Sequence, residues 1–149
     1  MTDATNAGGP AIETLQADFQ KNFAPWVQDL DLTVIDANGE HVILAMQPGE
    51  RLKRQGGIVS GQALMAAVDT AMVLAIWSAC GESMPCATVD MNTSFLKPAT
   101  HVELTVTANV IRRGRSIVFA RAEIKSSRDN KLVVTATGTY ALPPPKEST

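Results

Sequence analysis

The feature that most constrains this chain is the run from Gly61 to Ala79, in which Leu64, Met65, Val68, Met72, Val73, Ala75 and Ile76 leave almost no polar face. A helix that is apolar all round is buried on most of its sides, so the rest of the fold must wrap around it. A membrane span is the competing reading, but the run is short, rich in alanine and carries Asp69 and Thr70 at its middle. A carboxylate at the centre of a span is costly, so the run reads as a core helix and the chain as one with no membrane partner. Gly81 and then Pro85 mark its end.

What surrounds the helix follows from periodicity. Ile12, Leu15, Phe19 and Phe23 recur at helical spacing before Pro25 and predict an amphipathic covering helix. Residues 32–36 and 41–46 are β-rich runs around Asn38-Gly39, a hairpin with suitable turn chemistry. From Cys86 the period changes to 2: Val102, Leu104, Val106, Ala108 and Val110 alternate with Glu103, Thr105, Thr107 and Asn109. The alternation breaks at Arg112-Arg113-Gly114-Arg115, resumes at Ile117, turns again at residues 126–130 and ends on a last strand through Leu142. The order predicts an α+β fold: an antiparallel sheet, its last four strands a meander joined by short turns, curled around one long central helix.

A length of 149 residues suits one domain, placed at 12–142 between flexible tails at 1–11 and 143–149. Thirteen basic residues face 15 acidic ones, which disfavours a nucleic-acid partner. The start lacks a basic segment followed by an apolar one, so a cytoplasmic protein is expected. Cys80 and Cys86 are too few for a disulfide framework, and His41 and His101 lack partners at ligand spacing; no metal is expected.

Two features carry chemistry. Asp69 lies within Ala66-Ala67-Val68-Asp69-Thr70-Ala71-Met72, on a helix that must be largely buried. Such a carboxylate is either a structural group bonded to backbone or arginine, or a functional one. Gly56-Gly57-Ile58-Val59-Ser60-Gly61 runs straight into the helix, whose first N–H groups lack internal partners. That start can hold a phosphate or a carbonyl oxygen gaining charge, and Ser60 reads equally as a plain N-cap. Asp69 follows Ser60 by nine residues, roughly 13 Å along a helix. The two cannot act on one atom within one chain, so a joint role requires a dimer.

Residues 57–72 and the stretch Ala87-Thr88-Val89-Asp90-Met91-Asn92-Thr93-Ser94-Phe95-Leu96-Lys97-Pro98-Ala99 resemble the hotdog-fold acyl-CoA thioesterases, in the subgroup typified by the phenylacetate-degradation thioesterases. The resemblance spans roughly residues 30 to 142, including the Arg-Arg-Gly-Arg hairpin. It implies a hotdog fold, an acyl-CoA substrate, no cofactor, and active sites between the subunits of a homodimer that assembles further to a homotetramer. By the same resemblance Gly61 polarises the thioester carbonyl through its N–H, Asp69 of the facing subunit activates water or attacks directly, and Thr88 helps place the water. The family's His-Gly-Gly reads Ser60-Gly61-Gln62 here, and its Asn six residues before the His is Arg54. Ser60, Arg54 and Gln62 therefore stand where the substrate would lie. Lys97, Arg112, Arg113 and Arg115 are basic residues at a strand end and a hairpin, either contacts for the CoA phosphates or solvated turn charges. The rival expectation is a hotdog protein that binds acyl-CoA without cleaving it. A dehydratase is weaker, since His41 and His101 lie outside the loop and helix.

Overall fold

A computed structural model describes residues 10–100 and 103–144. Ahead of the core helix lie α1 (Ile12–Asn22), the one-turn α2 (Pro25–Gln28), the hairpin β1 (Leu32–Ala37) and β2 (His41–Met46), a 3₁₀ turn at Glu50–Leu52, and the two-residue strands β3 (Lys53–Arg54) and β4 (Ile58–Val59). The core helix α3 (Gly61–Cys80) follows, then β5 (Ala87–Phe95), β6 (Leu104–Arg113), β7 (Ile117–Ser126) and β8 (Leu132–Ala141). The expected tails fall mostly outside the described residues, as do His101 and Val102.

Six strands form one sheet in the order β1-β2-β6-β7-β8-β5, and every neighbouring pair is antiparallel. Against the expected meander of the last four strands, β5 pairs with β8 at the far edge, and only β6, β7 and β8 run on as hairpins. Alternation shows which side chains face inward; it is silent on which strand lies beside which. The sheet curls around α3 to give the expected hotdog fold.

Small side chains let the helix seat closely. Ala108, Ala122 and Ala136 stand in register across β6, β7 and β8, with Ala120 opposite Gly138. Ala67, Val68, Ala71, Leu74, Ala75 and Ile76 of α3 are fully buried, and α3 packs most heavily on β6 and β7. Both ends of α3 are locked. At its start Ser60 Oγ accepts from the Ala63 N–H at 3.2 Å, and at its end Gly81 takes the left-handed conformation at φ 82°.

Two edges remain, and they differ. The β1 edge is covered by α1, where the Gln16 amide donates to the Leu32 carbonyl and accepts from the Val34 N–H. Pro25, expected to stop α1, also opens α2, because the first helical position needs no N–H bond. The β5 edge is uncovered, and nearly every residue from Ala87 to Phe95 is exposed. Next to it, Gln62, Met65, Ala66 and Asp69 form the one stripe of α3 that is not fully buried until its last turn. Met65, one of the apolar residues of the run expected to be buried on most sides, lies in that stripe at 37% exposure.

Candidate active site

Asp69 sits at the middle of α3, half-buried, where the helix passes the edge of the sheet. Thr88 of β5 and Tyr140 of β8 are directly opposite each other in the ladder. Both hydroxyls donate to the same carboxylate oxygen: Thr88 Oγ1 to Asp69 Oδ1 at 3.1 Å, and Tyr140 OH to Asp69 Oδ1 at 2.8 Å. The register shift between Thr88 and Asp90 lets β5 bend just past this contact. Of the structural partners weighed from sequence, backbone or arginine, neither is used; among the described residues the carboxylate has two hydroxyl donors and no ion pair.

Asp69 borders two cavities. One, of about 580 Å³, is lined by Phe23, Val27, Val73, Trp77, Cys86 and Thr88 among others. The second, of about 320 Å³, has Phe23, Trp26, Gln62, Met65 and Met91 on its walls. Phe23 and Val27 line both, and the Phe23 ring is edge-on to Trp77 at 5.6 Å and tilted against Phe19 at 5.1 Å. Trp77 is held in turn by its indole N–H, which donates to the Met84 carbonyl at 2.7 Å. Burial, then the neighbouring Cys80, pushes the Cys86 thiol up to about 11.

The helix start forms a separate locus. The β3–β4 hairpin turns on Gly56 and Gly57, at φ 97° and 76°, conformations that L side chains seldom adopt. The Ser60 N–H donates to the Leu52 carbonyl at 2.8 Å and the Val59 N–H to the Ala99 carbonyl at 2.9 Å, which fixes where α3 begins. Because Ser60 caps Ala63 and its carbonyl takes the Leu64 N–H, the amides of Gly61 and Gln62 are left without a partner among the described residues. Arg54, Gly61, Phe95 and Lys97 line a depression of about 320 Å³ there. A Cβ at Gly61 would lie 3.5 Å from the Phe95 ring, ordinary contact, so packing alone does not demand glycine.

The sequence-derived residues thus fall into groups. Asp69 and Thr88 meet at one point, and Gln62 lines the smaller cavity beside them. Gly61, Arg54 and Lys97 share the depression at the helix start, with Ser60 capping the helix. Arg113 lies at the opposite end of α3, where its guanidinium donates to the Ala79 carbonyl at 2.7 Å; Arg112 and Arg115 are exposed nearby. Tyr140 was missed. It is the one tyrosine of the chain, and its place two residues after Gly138 on the inward face of β8 was the available signal, since a hydroxyl on an apolar face needs an acceptor. Among the described residues no three His, Cys, Asp or Glu side chains converge.

A hotdog sheet with a half-buried helix carboxylate and an unpartnered amide at the helix start defines the class of protein to which the comparisons point. Residues 56–133 match the model of the Thioesterase superfamily, and the chain belongs to that family. Acyl-coenzyme A thioesterase 13 of Mus musculus is 26% identical over 113 residues, covering 74% of this chain and 79% of that protein. The crystal structure of zebra fish thioesterase superfamily member 2 superposes with a TM-score of 0.80 at 25% identity, over 90% of this chain and 99% of that one. A phenylacetic acid degradation-related protein of Ralstonia eutropha, also 25% identical, superposes with a TM-score of 0.73 over 87% and 99% of the two chains.

Proposed function

We propose that the protein is an acyl-CoA thioesterase, cleaving an acyl-CoA ester with water to the free acid and CoA, in sites shared by two copies of the chain. The observation that carries this reading is Asp69: a half-buried carboxylate held by two neutral hydroxyls and bordering two cavities. A general base needs that combination of limited solvation and access. The acyl-coenzyme A thioesterase named above supports the substrate class.

In the mechanism, the oxygen of a water molecule bonds to the thioester carbon while its proton passes to Asp69. The carbonyl oxygen takes the negative charge and is held by the Gly61 N–H of a second copy. Collapse breaks the C–S bond, and the leaving thiolate regains a proton as CoA. If Asp69 attacks directly instead, an acyl-aspartyl anhydride forms and water opens it. Thr88, bonded to Asp69, stays within reach of the same water. Arg54 and Lys97 supply positive charge beside Gly61 for the CoA phosphates, whereas Arg113, bonded to Ala79, and Arg115 lie at the far end of α3.

The second copy is supported by the uncovered β5 edge and the half-exposed stripe Gln62, Met65, Ala66 and Asp69 beside it. Antiparallel pairing of two β5 edges about a two-fold axis would cover both at once. A homotetramer of such dimers, in the cytoplasm, completes the proposal.

The test is release of CoA thiol from short, medium, long and aromatic acyl-CoA esters, comparing wild type with Asp69→Asn. Turnover of at least one ester, lost by about a hundredfold or more in the variant, supports hydrolysis. Binding of CoA esters with no thiol released refutes it in favour of an acyl-CoA binding protein. Ser60 favours that second reading, because its hydroxyl is engaged with Ala63 and does not replace the family's histidine.

A further inference from the structure

We infer that Tyr140 is a positioning residue for the Asp69 base, an inference that rests on the hydrolase reading above. Tyr140 is completely buried and lines neither cavity at Asp69, so it acts on a substrate only through the carboxylate. Its ring leans over Gly138, where an added Cβ would come within 2.8 Å of the tyrosine Cε2 and 3.0 Å of the Met72 methyl. Met72 is three residues beyond Asp69, on the same side of α3. Gly138 therefore leaves the space that the ring and Met72 share, and the ring delivers its hydroxyl to Asp69 at 2.8 Å.

The arrangement divides the labour of the two carboxylate oxygens. Oδ1 receives Tyr140 and Thr88, one from each of two paired strands, which fixes the plane of the carboxylate against two points of the sheet. Oδ2 has no donor among the described residues, and it is the oxygen left to meet water. Both donors are neutral hydroxyls. A guanidinium or ammonium in the same place would hold the carboxylate as firmly while weakening it as a base far more. Burial, the Asp69 charge and the hydrogen bond all hold the Tyr140 phenol protonated, so the donor does not fail at the pH of the reaction.

The test is Tyr140→Phe, which removes one oxygen and keeps the ring. Expected is a fall in kcat of about ten- to a hundredfold, with KM within about twofold and Tm within a few degrees of wild type. Thr88→Ala and the double variant close a cycle, and because both donors hold one oxygen, the double loss should exceed the product of the single losses. Tyr140 is the one tyrosine in the chain, so biosynthetic 3-fluorotyrosine changes this phenol alone and leaves its packing nearly intact. That second probe should shift kcat through the altered donor strength, and its ¹⁹F resonance should move in Asp69→Asn.

Three results overturn the inference: kcat unchanged in Tyr140→Phe, losses that multiply without coupling, or a ¹⁹F resonance indifferent to Asp69. Wild type and Asp69→Asn run alongside distinguish the two readings. An active, Asp69-dependent wild type with an unaffected Tyr140→Phe refutes the positioning role alone; a wild type that cleaves no ester refutes the hydrolase reading and this inference with it.

Discussion

The most discriminating perturbation is Gly61→Pro, because it removes one backbone N–H and almost nothing else. Proline is normally disruptive in a helix, but Gly61 is the first residue of α3, where the N–H has no intrahelical acceptor and proline is favoured. The preceding residue must be extended, and Ser60 already is, at φ −64° and ψ 147°. Gly61 is not among the residues of positive φ, and a Cβ there meets Phe95 only at 3.5 and 3.6 Å. The cap also survives, since Ser60 Oγ accepts from Ala63 rather than from Gly61. Stability should hold or rise by about 0.4–1 kcal/mol from the stiffer unfolded chain. Activity should fall about a hundred- to a thousandfold in kcat, the cost of about 2.7–4 kcal/mol for losing one oxyanion donor. Thermal melting and thiol-release kinetics on wild type, Gly61→Ala and Gly61→Pro provide the assay, with alanine retaining the N–H and therefore most of the rate. A folded Gly61→Pro protein with kcat within about threefold of wild type would show that this amide does not hold the oxyanion.

Further expectations follow from neighbouring contacts. Ser60→Ala removes a cap and should cost about 1 kcal/mol by thermal or denaturant melting, with kcat unchanged, because the Gly61 amide stays in place. Phe23→Ala takes away a ring that lines both cavities, of about 580 and 320 Å³, and should move the optimum of kcat/KM toward longer acyl chains; an unchanged chain-length profile would show that Phe23 does not limit the acyl site. The Cys86 thiol, pushed up to about 11 chiefly by burial, is overwhelmingly protonated at neutral pH. Its alkylation by iodoacetamide, followed by mass spectrometry, should quicken about a hundredfold between pH 7 and 9 as the thiolate fraction grows, and acyl-CoA filling the larger cavity should slow it.

How much of this was legible in the sequence depended on whether the determining contact was local. Gly81, Asn38-Gly39 and the apolar run of α3 act through their own backbone or periodicity, and each element formed where those signals placed it. The β3–β4 hairpin was missed because two residues per strand leave no alternation to read. The position of β5 was misread because strand adjacency is a property of the whole sheet. Of the site, Asp69 stood out as a carboxylate on an apolar helix, whereas Tyr140 lies 71 residues away and reaches it only because β5 and β8 pair in one register.

That register also explains why the site lies at an edge. A carboxylate under the middle of the sheet would be sealed between α3 and the alanine row, without room for water or ester. At the last paired strand, Tyr140 is buried on β8 and Thr88 is exposed on the edge strand β5, so both hydroxyls hold Asp69 while the edge leaves the carboxylate open to solvent. The same placement leaves the carboxylate and the Gly61 amide on separate parts of one helix, eight residues apart, roughly 12 Å by helical rise. A single thioester cannot meet both groups of one chain. An edge strand free to pair with its own copy is therefore tied to the chemistry: it gives the base an opening, and pairing is what would bring an amide from a second helix to face it.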